Sequence, residues 1–441
     1  MNLAPPIPRL GLPGRERELT PAEQRKTANR QPARTRTTGS VVQRERHQAD
    51  YVILVVVVAL TAIGILMVYS SSAIRGYLSN EDTFATVGPQ IQWAVLGILA
   101  MVVMMKVDYR YLRLVSVPFY IVAVALLILV FVPQFNRVVG GSARWLELPL
   151  LPAIHPAEIA KLAMVVYLAH WFAKRGTKVR GFWGGTLAFM IIVAPIVGLV
   201  FKEPDLGTTM VIGLTAMTMF FVAGANLVHL GAMVLAALPV VIFAGLRGYQ
   251  MERIRSWLDP WSDQLGTGFH TIQGLLALGV GGLMGTGLGA SVVSVPNAFN
   301  DFVFAEVGQE FGLLGAGIVV VLFLALAYSG MRVALAAPDT FGALLAAGIT
   351  AWLCIQAFIN IGVVVALFPI TGITLPFVSA GGSSLIISFA AVGILLSISR
   401  ETVEKGTWND DAIADRGRRD GRTRLPGSGR RQVTARPSGR S

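Results

Sequence analysis

The stretch Tyr51-Val-Ile-Leu-Val-Val-Val-Val-Ala-Leu-Thr-Ala-Ile-Gly-Ile-Leu-Met-Val-Tyr69 decides the class of this chain. It carries no charge, and a helix of that length, rising about 1.5 Å per residue, reaches across the roughly 30 Å hydrocarbon core of a bilayer. Lipid offers the backbone no hydrogen-bond partners, so the stretch predicts a transmembrane helix. Nine further apolar stretches follow, and the ten are placed at 51–69, 89–107, 115–133, 156–173, 184–201, 206–223, 227–246, 303–329, 342–367 and 383–399. Composition agrees: 54% of the 441 residues are hydrophobic and 14% charged, with a mean hydropathy of +0.62, more apolar than a water-soluble globule can hide. The expected fold is an all-α polytopic membrane protein of about ten transmembrane helices, with a large outer loop, 247–302, between spans seven and eight. The fourth span is the least apolar because it holds Glu158 and Lys161. Were it only interfacial, the parity of every later loop would reverse.

Charge placement tests that parity, because Lys and Arg gather in short cytoplasmic loops. Ten Lys or Arg residues precede Asp50 and eleven follow from Arg400 onward, so residues 1–50 and 401–441 read as basic cytoplasmic tails around a 51–400 membrane domain. Lys106, Arg110 and Arg113 mark one inner loop, Lys174, Arg175, Lys178 and Arg180 a second, and Arg332 a third. Most of the net charge of +12 sits in the tails, whose Pro, Gly, Arg and Thr content cannot build a core. They are read as topology determinants at anionic lipid rather than arms for nucleic acid, and no nucleic-acid partner is expected. No cleavable signal peptide is expected either, the first span serving as a signal anchor. The single cysteine, Cys354, lies in a predicted span and excludes an intramolecular disulfide.

Polar residues at the outer face carry the functional signal. Asp301 stands in Val295-Pro-Asn-Ala-Phe-Asn-Asp-Phe-Val-Phe304, directly before the eighth span. Glu306 and Glu310 follow at i, i+4 spacing and extend an acidic strip toward the membrane, a pattern that favours a cation or a raised pKa. Glu158 and Lys161, at i, i+3, share a helix face and form either a structural ion pair or a substrate contact. The short turn Lys202-Glu203-Pro204-Asp205 concentrates charge at the bilayer surface, where it is suited to a phosphate or sugar headgroup. The long loop combines Arg247, Arg253 and Arg255 with Trp257, Trp261 and Phe269. Such a mixture suits a pyrophosphate and its sugars, and equally an interfacial belt. The glycine-rich 279–289 segment lacks the Gly-Lys-Ser/Thr ending of a phosphate loop, so no nucleotide cofactor is expected; it is read as a close-packed or bending segment. Leu375 to Ser384 predicts irregular backbone lining a cavity or buried in protein. The five scattered histidines give no zinc pattern, and no Gly-x-Ser-x-Gly elbow occurs.

Several of these segments together resemble the SEDS family, the FtsW and RodA group of peptidoglycan polymerases. The resemblance rests on Ser142-Ala-Arg-Trp145, Pro156-Ala-Glu-Ile-Ala-Lys161, Glu203-Pro-Asp-Leu-Gly-Thr208, Asn300-Asp-Phe-Val-Phe-Ala305 and Leu375 to Ser384, in that order among ten spans. Thr371 to Pro376 and Val68 to Ser72 are more similar to the cell-division branch, FtsW, than to the elongation branch, RodA. The resemblance implies polymerisation of lipid II into glycan strands on the outer face of the cytoplasmic membrane during septal wall synthesis, with release of undecaprenyl pyrophosphate. Asp301 matches the family's catalytic aspartate. Arg144, Lys202, Arg253 and Arg255 are the expected outer-face cations for the leaving group, with Arg144 and Arg253 ranked first, and Glu203, Asp205, Glu306 and Ser379 are further candidate substrate contacts. Glu158, Lys161 and Glu310 are assigned to the structure or its cavity. A divalent cation, Mg2+ or Mn2+, bridging the pyrophosphate stays open, with no metal ligands assigned. Expected partners are a class B penicillin-binding protein transpeptidase of the FtsI type and other divisome membrane proteins. The chain departs from the family at Asn297 and Phe299, where Glu and His are frequent, at His270, where Gln is common, and at Ala380, where Tyr is common. A lipid II flippase, a RodA-type elongation polymerase and a scaffold are the competing expectations.

Overall fold

A computed structural model describes residues 50–79, 83–139, 142–147, 152–245, 248–296 and 298–401. Apart from Asp50 and Glu401, both basic tails lie outside that set, as do Arg247 and Asn297. Each of the ten apolar stretches forms a helix: α1 (Tyr51–Ser79), α2 (Thr83–Lys106), α3 (Tyr111–Leu129), α4 (Pro156–Arg175), α5 (Ala188–Lys202), α6 (Leu206–Val222) and α7 (Leu227–Gly245), and then, beyond the long loop, three more. The loop itself is structured, holding α8 (Gly248–Leu258) and α9 (Phe269–Gly281) ahead of α10 (Val303–Ala336), α11 (Thr340–Val364) and α12 (Gly382–Ser399). Among the described residues seven helices are long and apolar enough to cross a membrane, with α6, the first part of α7 and α9 as shorter apolar helices. The protein is an all-α multi-pass membrane protein, with one exception the sequence did not announce. The 134–155 segment folds as an antiparallel hairpin, β1 (Asn136–Val139) with β2 (Ser142–Leu146).

Burial explains how α4 tolerates its charges. Thirteen of its residues are buried, including Glu158 and Lys161, because it runs inside the bundle rather than along lipid. Helices α11 and α12 are likewise enclosed, whereas α1, α3 and α10 turn exposed residues such as Val55, Leu114, Ile121, Val321 and Leu324 outward, as a lipid-facing surface requires. Small residues let the inner helices approach closely: a Cβ on Gly393 of α12 would come 2.4 Å from the Met101 carbonyl of α2.

The loops sort into two ends. At one end Arg110 bonds Glu401 at 2.6 Å and approaches Asp339 at 3.6 Å, Arg332 reaches Asp50 at 3.9 Å, and Arg180 donates to the Gly224 carbonyl. At the other end Arg144 donates to the Glu203 and Pro204 carbonyls and Arg253 to the Ile370 carbonyl. Loops grouped as inner by charge thus meet one another, and so do those grouped as outer. Helix α4 runs between the two groups of loops, with His155 before its first turn and Lys174 and Arg175 in its last.

Helix α10 is broken near its start. Gly312 has φ 65° and ψ −164°, a conformation essentially closed to other residues. The freed carbonyls of Gln309 and Glu310 accept from Thr286 and Gly287 N–H, and the Leu313 N–H donates to the Gly282 carbonyl. The 279–289 glycine segment therefore satisfies the backbone that the break exposes, which is how irregular structure survives inside a membrane protein. Alanine at 312 would place its Cβ 2.4 Å from the Gly285 nitrogen. Gly312→Ala is expected to destabilise the protein by at least about 1–2 kcal/mol from the left-handed backbone alone, seen as a lowered Tm in detergent.

Candidate active site

Asp301 sits in the turn that immediately precedes α10, and its position is fixed through the main chain. Asn360 of α11 donates from Nδ2 to the carbonyls of Asp301 and Ile373, both at 2.7 Å, and Ala380 N–H donates to the Phe299 carbonyl at 2.7 Å. The segment before α10 and the irregular segment before α12 are thereby pinned to each other. The Asp301 carboxylate accepts no hydrogen bond from another described residue and lines two cavities. One, of about 470 Å³, is walled by Glu252, Arg253 and Ser256 of α8 together with His270 and Ile370. The other, of about 380 Å³, is walled by Arg144, Trp145, His155, Glu158, Asp205 and the Gly372 to Ser384 segment. Burial pushes the Asp301 carboxyl up to about 6, against its own amide N–H and the nearby Arg253 charge, which hold it down.

The second cavity is built on a buried polar chain. Lys161 Nζ is held by Glu158 at 2.9 Å and by Gln356 Oε1 at 2.6 Å. Gln356 also accepts from Trp352 Nε1 and donates to the Thr374 carbonyl, so the ion pair braces the cavity wall. Asp205 caps α6, accepting from Thr208 N–H at 2.9 Å and from its hydroxyl at 2.8 Å. Glu203 is buried beside it with neither carboxyl oxygen bonded to a described residue. Burial, then the Asp205 charge, pushes Glu203 up to about 8 against the opposing Arg144, so it is mostly protonated at neutral pH.

Of the sequence candidates, Arg144, Glu158, Asp205 and Asp301 share the second cavity, and Arg253 joins Asp301 in the first. The structure does not bring the others to either cavity. Lys202 is exposed with its ammonium 5.9 Å from the Phe131 ring centre, and Arg255 is exposed on the opposite side of α8 from Arg253. The Ser379 hydroxyl accepts from Leu375 N–H, closing the turn before α12. Glu306 and Glu310 are buried and both contact the Ser291 hydroxyl, at 2.6 and 2.9 Å, and Ser70 bonds Glu310. Their strip thus fastens α1 and the glycine segment to α10 instead of opening toward Asp301. Asn360, Gln356 and His155 were missed. The signal for the first two was present, as two amides at i, i+4 in the otherwise apolar α11. His155 stood only among scattered histidines.

The family model described as cell cycle protein, covering FtsW, RodA and SpoVE, matches residues 50–404. The chain is 41% identical over 368 residues to the probable peptidoglycan glycosyltransferase FtsW of Geobacter metallireducens, covering 82% of this chain and 97% of that protein. It is 39% identical to stage V sporulation protein E of Bacillus subtilis, covering 80% and 97% of the two chains. Among solved structures, a chain from a peptidoglycan synthase complex coordinating polymerization and crosslinking superposes with a TM-score of 0.66 at 27% identity, covering 81% of this chain and 99% of that one.

Proposed function

The chain belongs to the FtsW, RodA and SpoVE family of cell cycle proteins, and on that premise we propose that it is a peptidoglycan glycosyltransferase polymerising lipid II for the division septum. The observation that carries this is Asp301: a partly buried carboxylate that accepts no hydrogen bond from another described side chain and lines both polar cavities. Two cavities sharing one base give a donor and an acceptor sugar a common meeting point. Asp301 takes the proton of the acceptor 4-hydroxyl as its oxygen attacks the donor anomeric carbon, and undecaprenyl pyrophosphate departs with the bonding electrons. A single displacement inverts that carbon, from an α-linked donor to a β-linked product. Pyrophosphate leaves without a proton when its charge is stabilised, so a second carboxylic acid of the glycosidase kind is not needed. Arg144 and Arg253 are the cations lining the cavities and take that role.

Among the described residues no group of three or more His, Cys, Asp or Glu is arranged to hold a metal ion. The steps above use no metal; a divalent ion, Mg2+ or Mn2+, is proposed as a companion carried on the pyrophosphate. We further assign ten membrane crossings with both termini cytoplasmic, from the charge sorting of the loops. A class B penicillin-binding protein transpeptidase and other divisome membrane proteins are the partners, since polymer without cross-links is not a wall.

The proposed base fixes a pH dependence. Below about 6 Asp301 is protonated and cannot accept the hydroxyl proton; above it the carboxylate is available. Turnover of purified protein with lipid II should rise with pH through that region and then level off. A rate that stays flat across it, with folding unchanged, would rule out Asp301 as the base.

A further inference from the structure

Trp145, His155 and Asp205 are among the side chains lining the second cavity that have no step in the chemistry above. The imidazole of His155 is tightly held. It meets the Trp145 ring edge to face, with centroids 5.4 Å apart and planes at 83°, and its residue directly precedes α4. Its Nδ1 is buried and has no hydrogen-bond partner among the described residues. A buried N–H without an acceptor is rarer and costlier than an unused lone pair, so the ring proton belongs on Nε2. Burial keeps the ring below its ordinary pKa despite Asp205 and Glu158 nearby, and it is neutral at pH 7.

That Nε2 stands 3.8 Å from Asp205 Oδ2, too far for a hydrogen bond between them. Asp205 cannot swing to close the gap, because both its oxygens are tied to Thr208 in the cap of α6. One oxygen set between the two residues is within reach of each. To satisfy both it must accept from Nε2–H and donate to the carboxylate, which a hydroxyl does and an ionised phosphate oxygen cannot. The Trp145 ring beside it offers the apolar face that sugar rings pack on. We propose that His155 and Asp205 clamp one hydroxyl of a lipid-linked sugar, with Trp145 as its platform, making this wall a carbohydrate subsite and His155 a specificity-determining residue. The proposal rests on the glycosyltransferase assignment for the identity of the ligand.

The test is binding, not turnover. Asp301→Asn protein in detergent is titrated with lipid II and, separately, with undecaprenyl pyrophosphate, which has the same lipid and phosphates but no sugar. His155→Phe and His155→Gln are added singly to that background. Phe keeps a ring against Trp145 without an N–H; Gln restores an N–H donor of similar reach. His155→Phe should weaken lipid II by about tenfold and leave undecaprenyl pyrophosphate unchanged, while His155→Gln stays within about threefold of the parent for both. Unchanged lipid II binding in the Phe variant overturns the clamp, as does an equal loss for both ligands, the mark of a merely structural residue, or a parent that does not bind lipid II. Polymer formation by the wild-type protein is a separate assay, and its failure would leave the binding comparison intact.

Discussion

Replacing Asp301 by alanine will lower polymerisation by about 10²- to 10⁴-fold, the contribution typical of a positioned general base. The same loss is expected for Asp301→Asn, which keeps the shape of the side chain but cannot take a proton. Neither change should unfold the protein. Asn360 holds residue 301 through its carbonyl, a contact indifferent to the side chain, and the carboxylate receives no hydrogen bond from another described residue. The check is product formed from lipid II, with the thermal transition of each variant followed in parallel. An alanine variant that folds and works within about threefold of wild type would remove Asp301 from the mechanism, since it would fall far below a base's usual share.

Removing Lys161 should instead strike stability. Its side chain is 2% exposed, and its ammonium lies 2.9 Å from Glu158, 2.6 Å from Gln356 and 5.2 Å from the Trp352 ring centre. Lys161→Met would strand the Glu158 carboxylate in the bundle without its cation, a cost of about 3–5 kcal/mol for breaking a buried pair. The double variant Glu158→Gln, Lys161→Met removes both charges and should recover most of the loss, because a neutral pair of similar volume has no uncompensated ion. Thermal unfolding in detergent reads both. Equal stability of wild type and the single variant would mean that the Glu158 charge is compensated from elsewhere. Activity of the single variant should fall too, because Gln356 links the pair to the Thr374 carbonyl in the cavity wall.

Most of the fold was legible because membrane helices announce themselves: an apolar stretch such as Tyr51 to Tyr69 has few alternatives once lipid is the solvent. The loops between helices were legible only in sign. Nothing in the spacing of Asn136 to Leu146 marked a hairpin, since a two-stranded ribbon this short needs no long alternating pattern. The break at Gly312 was likewise hidden, because a glycine inside an apolar run is ordinary until a second glycine segment is found waiting for its freed carbonyls. For the site, Asp301, Arg144, Asp205 and Arg253 could be picked out as outer-face charges, and Glu158 as a charge within the fourth span. Sequence position alone could not separate these from Lys202, Arg255 or Glu306, because cavity membership depends on which way a side chain leaves its helix. Helical phase shows this at α8, where Arg253 and Arg255, two residues apart, leave on different sides.

The most direct test of the central claim is a fully purified one: the protein in lipid vesicles with lipid II and its cognate transpeptidase, measuring glycan strands formed and undecaprenyl pyrophosphate released. The account predicts β-linked strands, one pyrophosphate released for each bond made, and neither product from Asp301→Asn. Movement of intact lipid II between leaflets without strand formation, at the same rate in both proteins, would contradict it and make the chain a carrier.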